Sequence, residues 1–167
     1  VALDRKLRDL RAQRGHFWLG QVLHLGVGLD ACRFTGGERL RPAAGSADRL
    51  RFTYWLHFAE GSAMPPLVMA LIFNKVRTAP MPFFAKPIAK AIAGKVMTGF
   101  VQPNIDRQLA FMEAELQSRP WFAGSEFSAA DIMMSFPLEA AAARAGAKSR
   151  PMVKAFLERI HARPASQ

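Results

Sequence analysis

The sequence predicts an all-α fold, a bundle of about four or five helices. Apolar residues recur at three- and four-residue steps over much of residues 47–160, as a helix with one buried face requires. A capping pattern at Ser128 marks the start of a helix, and no alternating strand pattern occurs after residue 46. Successive helices without strands assemble as a helical bundle.

The central helix of this bundle is predicted to start at Ser128. The Ser128 hydroxyl can accept the amide of Asp131, and the Asp131 carboxylate can reach back to the amide of Ser128. Phe127 and Ile132 have the spacing of a hydrophobic staple around this cap. The helix behind it is apolar almost all round, which indicates burial in the core. We therefore interpret Ser128 and Asp131 as structural capping residues and not as catalytic ones.

The same periodicity predicts further helices on both sides of this one. Their predicted ranges are 47–64 continued over 67–76, 87–116, and 151 to near Pro164. Ser46 and Ser149 are predicted caps. Pro65 and Pro66 should kink or break the first helix and Pro103 should bend the second, because proline has no amide to donate.

The basic composition restricts the partners that the chain is expected to bind. Lys and Arg number 23 against 13 Asp and Glu, and the excess is scattered along the chain. No zinc-finger spacing, glycine-rich phosphate loop or aromatic-basic repeat accompanies the charge, so we expect no nucleic-acid partner. No run of about 18 continuous apolar residues occurs, so we expect no membrane partner.

The cysteine and histidine content argues against disulfides and metal sites. Cys32 is the only cysteine, and the four histidines lack metal-ligand spacing. A basic stretch and then an apolar stretch precede Cys32, which is also the order found in a lipid-anchored envelope protein. Glycines, a histidine and an aspartate interrupt that apolar stretch, so a helical or partly ordered leader is the preferred interpretation.

Four segments together form a specific pattern. They are Tyr54 to Ser62, Met64-Pro65-Pro66-Leu67, Met81-Pro82-Phe83-Phe84, and Trp121 to Arg144. This pattern resembles the C-terminal helical domain of the glutathione S-transferase family, in its theta-like bacterial and fungal branch, over about residues 38–167. The resemblance implies a leader or N-terminal remnant at 1–41 and the helical domain at 42–167, without a complete thioredoxin-like N-terminal domain.

The resemblance also implies where a substrate binds. In the family the helical domain packs beside a thioredoxin-like domain, forms one wall of the pocket for a hydrophobic co-substrate, and helps to form a homodimer. On the first long helix the candidates for that wall are Tyr54, His57, Phe58 and Met64. Aromatic and methionine residues at this spacing also pack in cores, so core packing is the alternative interpretation. Arg51 and Glu60 are candidates for an ion pair across a dimer or to a partner domain.

Residues 1–41 lack the features with which the family binds and activates glutathione. The family places a Ser, Tyr or Cys beside the glutathione sulfur, which lowers the thiol pKa so that the nucleophilic thiolate forms. It also uses a cis-proline turn and a Glu-Ser pair. Residues 1–41 contain no serine, tyrosine or proline, and Cys32 does not head a strand–helix unit. We therefore assign no catalytic residue.

Three explanations of the chain follow from this comparison with the family. It is a fragment or altered copy of an enzyme that conjugates glutathione thiolate to hydrophobic electrophiles, or a non-catalytic helical dimerisation or docking module, or its leader completes the domain in another way. The first implies a cytoplasmic detoxification enzyme that acts as a homodimer, with glutathione as co-substrate and no other cofactor.

Overall fold

The computed structural model describes residues 40–145 and 150–163 of the chain. Its α-helices are α1 Ala47–Phe58, α2 Met64–Thr78, α3 Ala85–Val96, α4 Gln102–Ser118, α5 Ala129–Ala145 and α6 Pro151–Ala162. Two π-helical segments, Ala59–Ala63 and Met97–Val101, connect α1 to α2 and α3 to α4. No strand occurs in these described residues, so the prediction of an all-α helical bundle is confirmed.

Each π-helical segment lies directly before a first turn that contains proline. Pro65 and Pro66 follow the first residue of α2, and Pro103 follows the first residue of α4. A proline ring crowds the carbonyl four residues earlier and offers no amide to it, and a wider π-helical turn relieves that conflict. The helix therefore continues from Ala47 to Thr78, so the alternative that Pro65-Pro66 break it is wrong.

By length and composition alone, the 32-residue helix Ala47–Thr78 could span a membrane. It also contributes to the bundle core, because Phe52, Trp55 and Leu67 are buried within the domain. Ser46 precedes α1 as predicted, but its hydroxyl donates to the carbonyl oxygen of Ala43 at 2.8 Å and makes no capping bond to α1.

Helix α5 is the central element, and it contacts α1, α2 and α6. Met134 and Leu138 are fully buried, and Pro137 lies buried inside the helix. The helix begins at Ala129, directly after Ser128. The prediction that this helix is buried almost all round is wrong at Ile132, which is 37% exposed. Phe127 packs on Trp121, with ring centroids 5.0 Å apart.

Aromatic side chains link the two ends of the described sequence. Trp55 of α1 is 1% exposed, and its ring lies 4.6 Å from that of Phe122 in the loop before α5. Phe122 in turn packs edge-on against Phe156 of α6 at 5.0 Å. Edge-to-face and tilted ring pairs at these distances are favourable arrangements. The core therefore runs from α1 through this loop to α6.

The described residues from Arg41 onwards belong to one compact unit. The predicted leader lies outside the described residues except at its last two positions, and so do Cys32, the predicted cap Ser149 and the predicted stop at Pro164. The division into 1–41 and 42–167 thus stays a prediction.

Candidate functional site

Three aromatic rings lie partly exposed on one side of the domain. Tyr54 and Phe58, four residues apart on α1, stack with centroids 5.8 Å apart. Phe111 of α4 lies 5.6 Å from Phe58. Tyr54 is 49% exposed, Phe111 is 40% exposed and Phe58 is half-buried. We call Tyr54, Phe58 and Phe111 the aromatic face.

Trp55 forms a rigid base beneath the aromatic face. Its buried ring contacts all three members, at 5.2 Å to Tyr54, 5.0 Å to Phe58 and 5.3 Å to Phe111. Because the core around Trp55 is close-packed, this base limits the positions that the exposed rings can take. A fixed set of exposed rings can stack against a planar apolar ligand without first becoming ordered.

An ion pair one turn away holds the two helices that carry the aromatic face. Arg51 of α1 donates to the carboxylate of Glu115 on α4 and, at 3.3 Å, to the carbonyl oxygen of Phe122. The pair is only about a quarter exposed. Arg51 therefore forms an ion pair within the domain. This ion pair helps to hold α1 and α4 in the relative position in which Trp55 packs on Phe111. A bridge from Arg51 or Glu60 to a dimer partner or to a partner domain stays a prediction.

The other two predicted wall residues lie beside or beyond the aromatic face. His57 is exposed and lies three residues after Tyr54 on α1, which is the spacing of neighbours on a helix surface, so its imidazole is available to a ligand near Tyr54. Met64 is half-buried at the first residue of α2, after the π-helical segment. The structure thus brings Tyr54 and Phe58 into contact, leaves His57 next to them, and places Met64 farther along the helix.

Sequence reasoning missed Phe111. On α4 the buried residues Ile105, Leu109, Met112 and Leu116 form the stripe that faces the core. Phe111 is an apolar residue out of phase with that stripe, which is the only local sign of its exposure. Its contact with Phe58 joins positions 53 residues apart, so no spacing rule could have predicted it.

The Ser128–Asp131 cap anchors the loop beneath Trp55. Oδ1 of Asp131 accepts the Phe122 amide at 2.8 Å, and Oδ2 accepts the amide and the hydroxyl of Ser128 at 2.8 and 2.9 Å. The hydroxyl therefore donates to the carboxylate, so the prediction that it accepts from the Asp131 amide is wrong. That amide donates to the Ser128 carbonyl oxygen at 3.1 Å.

Asp131 is fully buried, and burial raises the pKa of its carboxyl group above the ordinary value. The hydrogen bonds from Phe122 and Ser128 lower that pKa but do not outweigh the loss of hydration. Every group that contacts the carboxylate belongs to the loop or the helix start, which fits a structural role.

A second buried carboxylate, Glu113 of α4, was also missed. It accepts the amides of Met152 and Val153, each at 2.9 Å, and so caps the start of α6 from a different helix. Pro151 occupies the first position of α6 and has no amide, so these are the first two donors that the helix offers. An anion at this end also interacts favourably with the helix dipole.

Two other kinds of site find no support in the described residues. No group of three or more His, Cys, Asp or Glu there could hold a metal ion. A cavity of about 10 Å³ lies between α2, α4 and α5, with Gln108 among mainly apolar residues. That volume is about what one water molecule needs and is too small for a substrate. The open aromatic face remains the candidate site.

The family model and the curated relatives that this chain matches are all glutathione S-transferases. Residues 82–164 match the family model described as glutathione S-transferase, C-terminal domain. The chain is 32% identical over 113 residues to glutathione S-transferase 1 of Saccharomyces cerevisiae, covering 66% of this chain and 48% of that protein. It is 28% identical over 110 residues to glutathione S-transferase 3 of Schizosaccharomyces pombe, covering 63% and 43%. The chain thus spans about half the length of these curated relatives.

Solved structures share the fold. A glutathione S-transferase from Actinobacillus pleuropneumoniae aligns with a TM-score of 0.59 and 18% identity, covering 84% of this chain and 58% of its own. A glutathione transferase from Methylococcus capsulatus aligns with a TM-score of 0.56 and 24% identity, covering 84% and 62%. At these identities the likeness concerns the fold alone.

Proposed function

Because this chain belongs to the glutathione S-transferase family through its C-terminal helical domain, we propose that it serves the conjugation of glutathione to hydrophobic electrophiles. Its part is to hold the electrophile. The observation that carries this proposal is the aromatic face, whose rings are exposed to a ligand and held from below by Trp55. Pockets for such compounds are lined mainly by apolar and aromatic side chains with a few polar groups.

The reaction needs an electrophile held still while a thiolate attacks it. The glutathione sulfur forms a bond to an electrophilic carbon, and the leaving group departs with its electron pair. An aryl electrophile stacked on Tyr54, Phe58 and Phe111 loses the freedom to rotate away from the attacking sulfur. The exposed imidazole of His57 can donate a hydrogen bond to a polar substituent of that ring.

Groups outside the described residues would bind glutathione and keep its sulfur as the thiolate. We further propose that the protein works in the cytoplasm as a homodimer and removes toxic electrophiles. The support for these three points is family membership and the names of the two yeast relatives. Glutathione is then a co-substrate, and no other cofactor is called for.

The first test separates an enzyme from a binding module. The chain is applied to a glutathione-affinity column and then assayed with a generic electrophilic aryl halide. Retention together with turnover supports the proposal. Passage through the column without turnover, by a chain that is still helical, contradicts it and leaves the non-catalytic docking module as the function.

The second test addresses the aromatic face. We expect Phe111→Ala to raise the KM for the aryl halide about 5- to 10-fold, because about 1 kcal/mol of ring contact is lost, and to leave the KM for glutathione unchanged. Phe100→Ala is the matched control, since Phe100 is also exposed, at 56%, but is not part of the aromatic face. Equal effects of the two substitutions on the KM for the aryl halide would contradict the assignment.

A further inference from the structure

One long segment of the chain carries only positive charge. Residues 61–105 contain no Asp or Glu, whereas they contain Lys75, Arg77, Lys86, Lys90 and Lys95. All five cations are exposed. None of them forms an ion pair within the part of the chain that the structure describes. The segment therefore presents an uncompensated positive surface.

The most exposed aromatic rings of the described residues lie in the middle of this segment. Phe83 and Phe84, in the loop between α2 and α3, are 89% and 65% exposed. Their rings pack edge-to-face on each other at 5.7 Å. We call residues 75–90 the α2–α3 tip. It holds this ring pair together with Lys75, Arg77, Lys86 and Lys90.

The loop that carries the two rings contains two prolines and a carbonyl group that pairs with the start of α3. Pro80 and Pro82 have no amide to leave unpaired, and the Pro82 carbonyl oxygen accepts the amides of Ala85 and Lys86 at 3.0 and 3.3 Å. The two prolines thus lower the number of backbone donors in the loop that need water at the point where the two rings project. Exposed aromatic rings that are flanked in sequence by exposed cations, with no carboxylate in residues 61–105, match the surface of an anionic bilayer.

We propose that the α2–α3 tip binds peripherally to anionic membranes, with Phe83 and Phe84 inserted at the level of the head groups and the surrounding cations on the lipid phosphates. The sequence predicts no membrane partner because it contains no run of about 18 continuous apolar residues, and a peripheral contact needs none. The cytoplasmic leaflet is the anionic one, which agrees with the proposed cytoplasmic location. The inference does not depend on the proposed transferase activity.

The charge of the α2–α3 tip indicates whether this surface contacts a membrane or a second copy of the chain. If two copies met symmetrically through this surface, the same unpaired cations would face each other with no carboxylate from residues 61–105 between them. Like charges across an interface disfavour it, whereas an anionic surface neutralises them. The α2–α3 tip is therefore assigned to lipid.

Sedimentation with vesicles tests the proposal. We expect the protein to bind vesicles that contain phosphatidylserine at least about tenfold more strongly than vesicles of phosphatidylcholine alone, and to dissociate as salt is raised. Lys86→Gln/Lys90→Gln should weaken binding about 10- to 30-fold, since each cation near an anionic surface strengthens binding about fivefold. Arg119→Gln/Lys154→Gln removes the same charge from exposed sites elsewhere and should have little effect.

A second pair of variants tests the aromatic rings. Phe83→Ser/Phe84→Ser should lower vesicle binding by at least about tenfold, because burial of aromatic surface in the head-group region is lost. Leu50→Ser/Phe100→Ser is the control, since both side chains are more than half exposed and lie outside the α2–α3 tip. Circular dichroism should show unchanged helix content in all variants, because every substituted side chain is exposed.

Three results would overturn the proposal. The first is equal binding to neutral and anionic vesicles. The second is unchanged vesicle binding by the Phe83/Phe84 variant. Binding would then be the non-specific attraction of a basic protein to any polyanion, such as nucleic acid. The third is conversion of a dimer to a monomer by that variant, seen by light scattering, without a change in vesicle binding, which would assign the surface to a second copy.

Discussion

Replacing Asp131 with alanine is expected to lower the free energy of unfolding by about 3–4 kcal/mol. The substitution leaves the buried amides of Phe122 and Ser128 without an acceptor, and each such loss costs about 1–3 kcal/mol. The loop that they fix carries Phe122, on which Trp55 packs. Urea unfolding followed by circular dichroism measures the change.

A graded series shows whether the carboxylate itself is responsible. Asp131→Asn keeps one acceptor oxygen and should cost less than Asp131→Ala, and Ser128→Ala removes a single bond to Oδ2 and should cost about 1 kcal/mol. Asp106→Ala is the matched control, because Asp106 is exposed and, among the described residues, its carboxylate accepts only from Gln102 four residues earlier. The Asp106 carbonyl oxygen, which accepts from Arg150, is kept in the variant. A loss in Asp106→Ala as large as that in Asp131→Ala would contradict this account.

The same residue should make stability depend on pH in a defined direction. Burial raises the pKa of Asp131, so the native state holds the proton more tightly than the unfolded chain does. As pH rises from the unfolded pKa, about 3.9, through the raised native pKa, the unfolded chain ionises first and this residue's contribution to stability falls. Below that window the contribution is fully present, and above it the lower value stays constant.

Comparison with Asp131→Asn isolates this titration, because asparagine does not ionise. The advantage of the wild type over Asp131→Asn in unfolding free energy should be larger near pH 4 than near pH 7. On protonation the Ser128 hydroxyl can turn to accept from Oδ2, so the neutral form keeps its partner. An advantage that instead grows between these pH values would mean that the three donors outweigh the loss of hydration.

Glu113→Ala is expected to cost about 2–4 kcal/mol. It removes both acceptors from the first two amides of α6. Hydrogen bonds that amides donate to a charged group contribute about 1.5–3 kcal/mol each, and water replaces part of them in the variant. Because α6 carries the buried residues Val153 and Phe156, looser capping also weakens the core. Chemical denaturation gives the total, and hydrogen exchange at Met152 and Val153 shows where protection is lost.

Two variants define the cause of that loss. Glu113→Gln offers one acceptor oxygen and turns its amide NH2 group, which is itself a donor, towards the other backbone amide, so about half of the loss is expected. Glu158→Ala lies on α6 itself, is well exposed, and should change stability by less than about 0.5 kcal/mol. If the α6 amides keep wild-type protection in Glu113→Ala, capping by Glu113 is not what holds this helix.

Local patterns predicted the helices well where one segment contains all the information. The Ser-x-x-Asp spacing located the start of α5, and Pro151 located the start of α6. The effect of Pro65-Pro66 was harder to predict, because a proline permits a break, a kink or a π-helical turn, and packing on both sides of it selects among them. Ile132 belongs to the run that is apolar almost all round and therefore predicts burial, yet it is 37% exposed.

The candidate site was only half predictable for the same reason. Tyr54 and Phe58 lie one turn apart on α1, so sequence alone places them on one face. Phe111, which completes the aromatic face, comes from α4, and Arg51 finds Glu115 on that helix too. These contacts join residues 53 and 64 positions apart, which no local period connects.

By itself, the sequence determined that this protein is helical, where its central helix begins, and which surface of α1 is aromatic. These properties depend on residues within one or two turns of each other, whose spacing is set by helix geometry. Only the tertiary structure decided that Glu113 caps α6, that Phe111 joins Phe58, and that Asp131 is buried on three donors. Such contacts depend on how whole helices pack, because the packing decides which distant groups lose water and must find partners in each other.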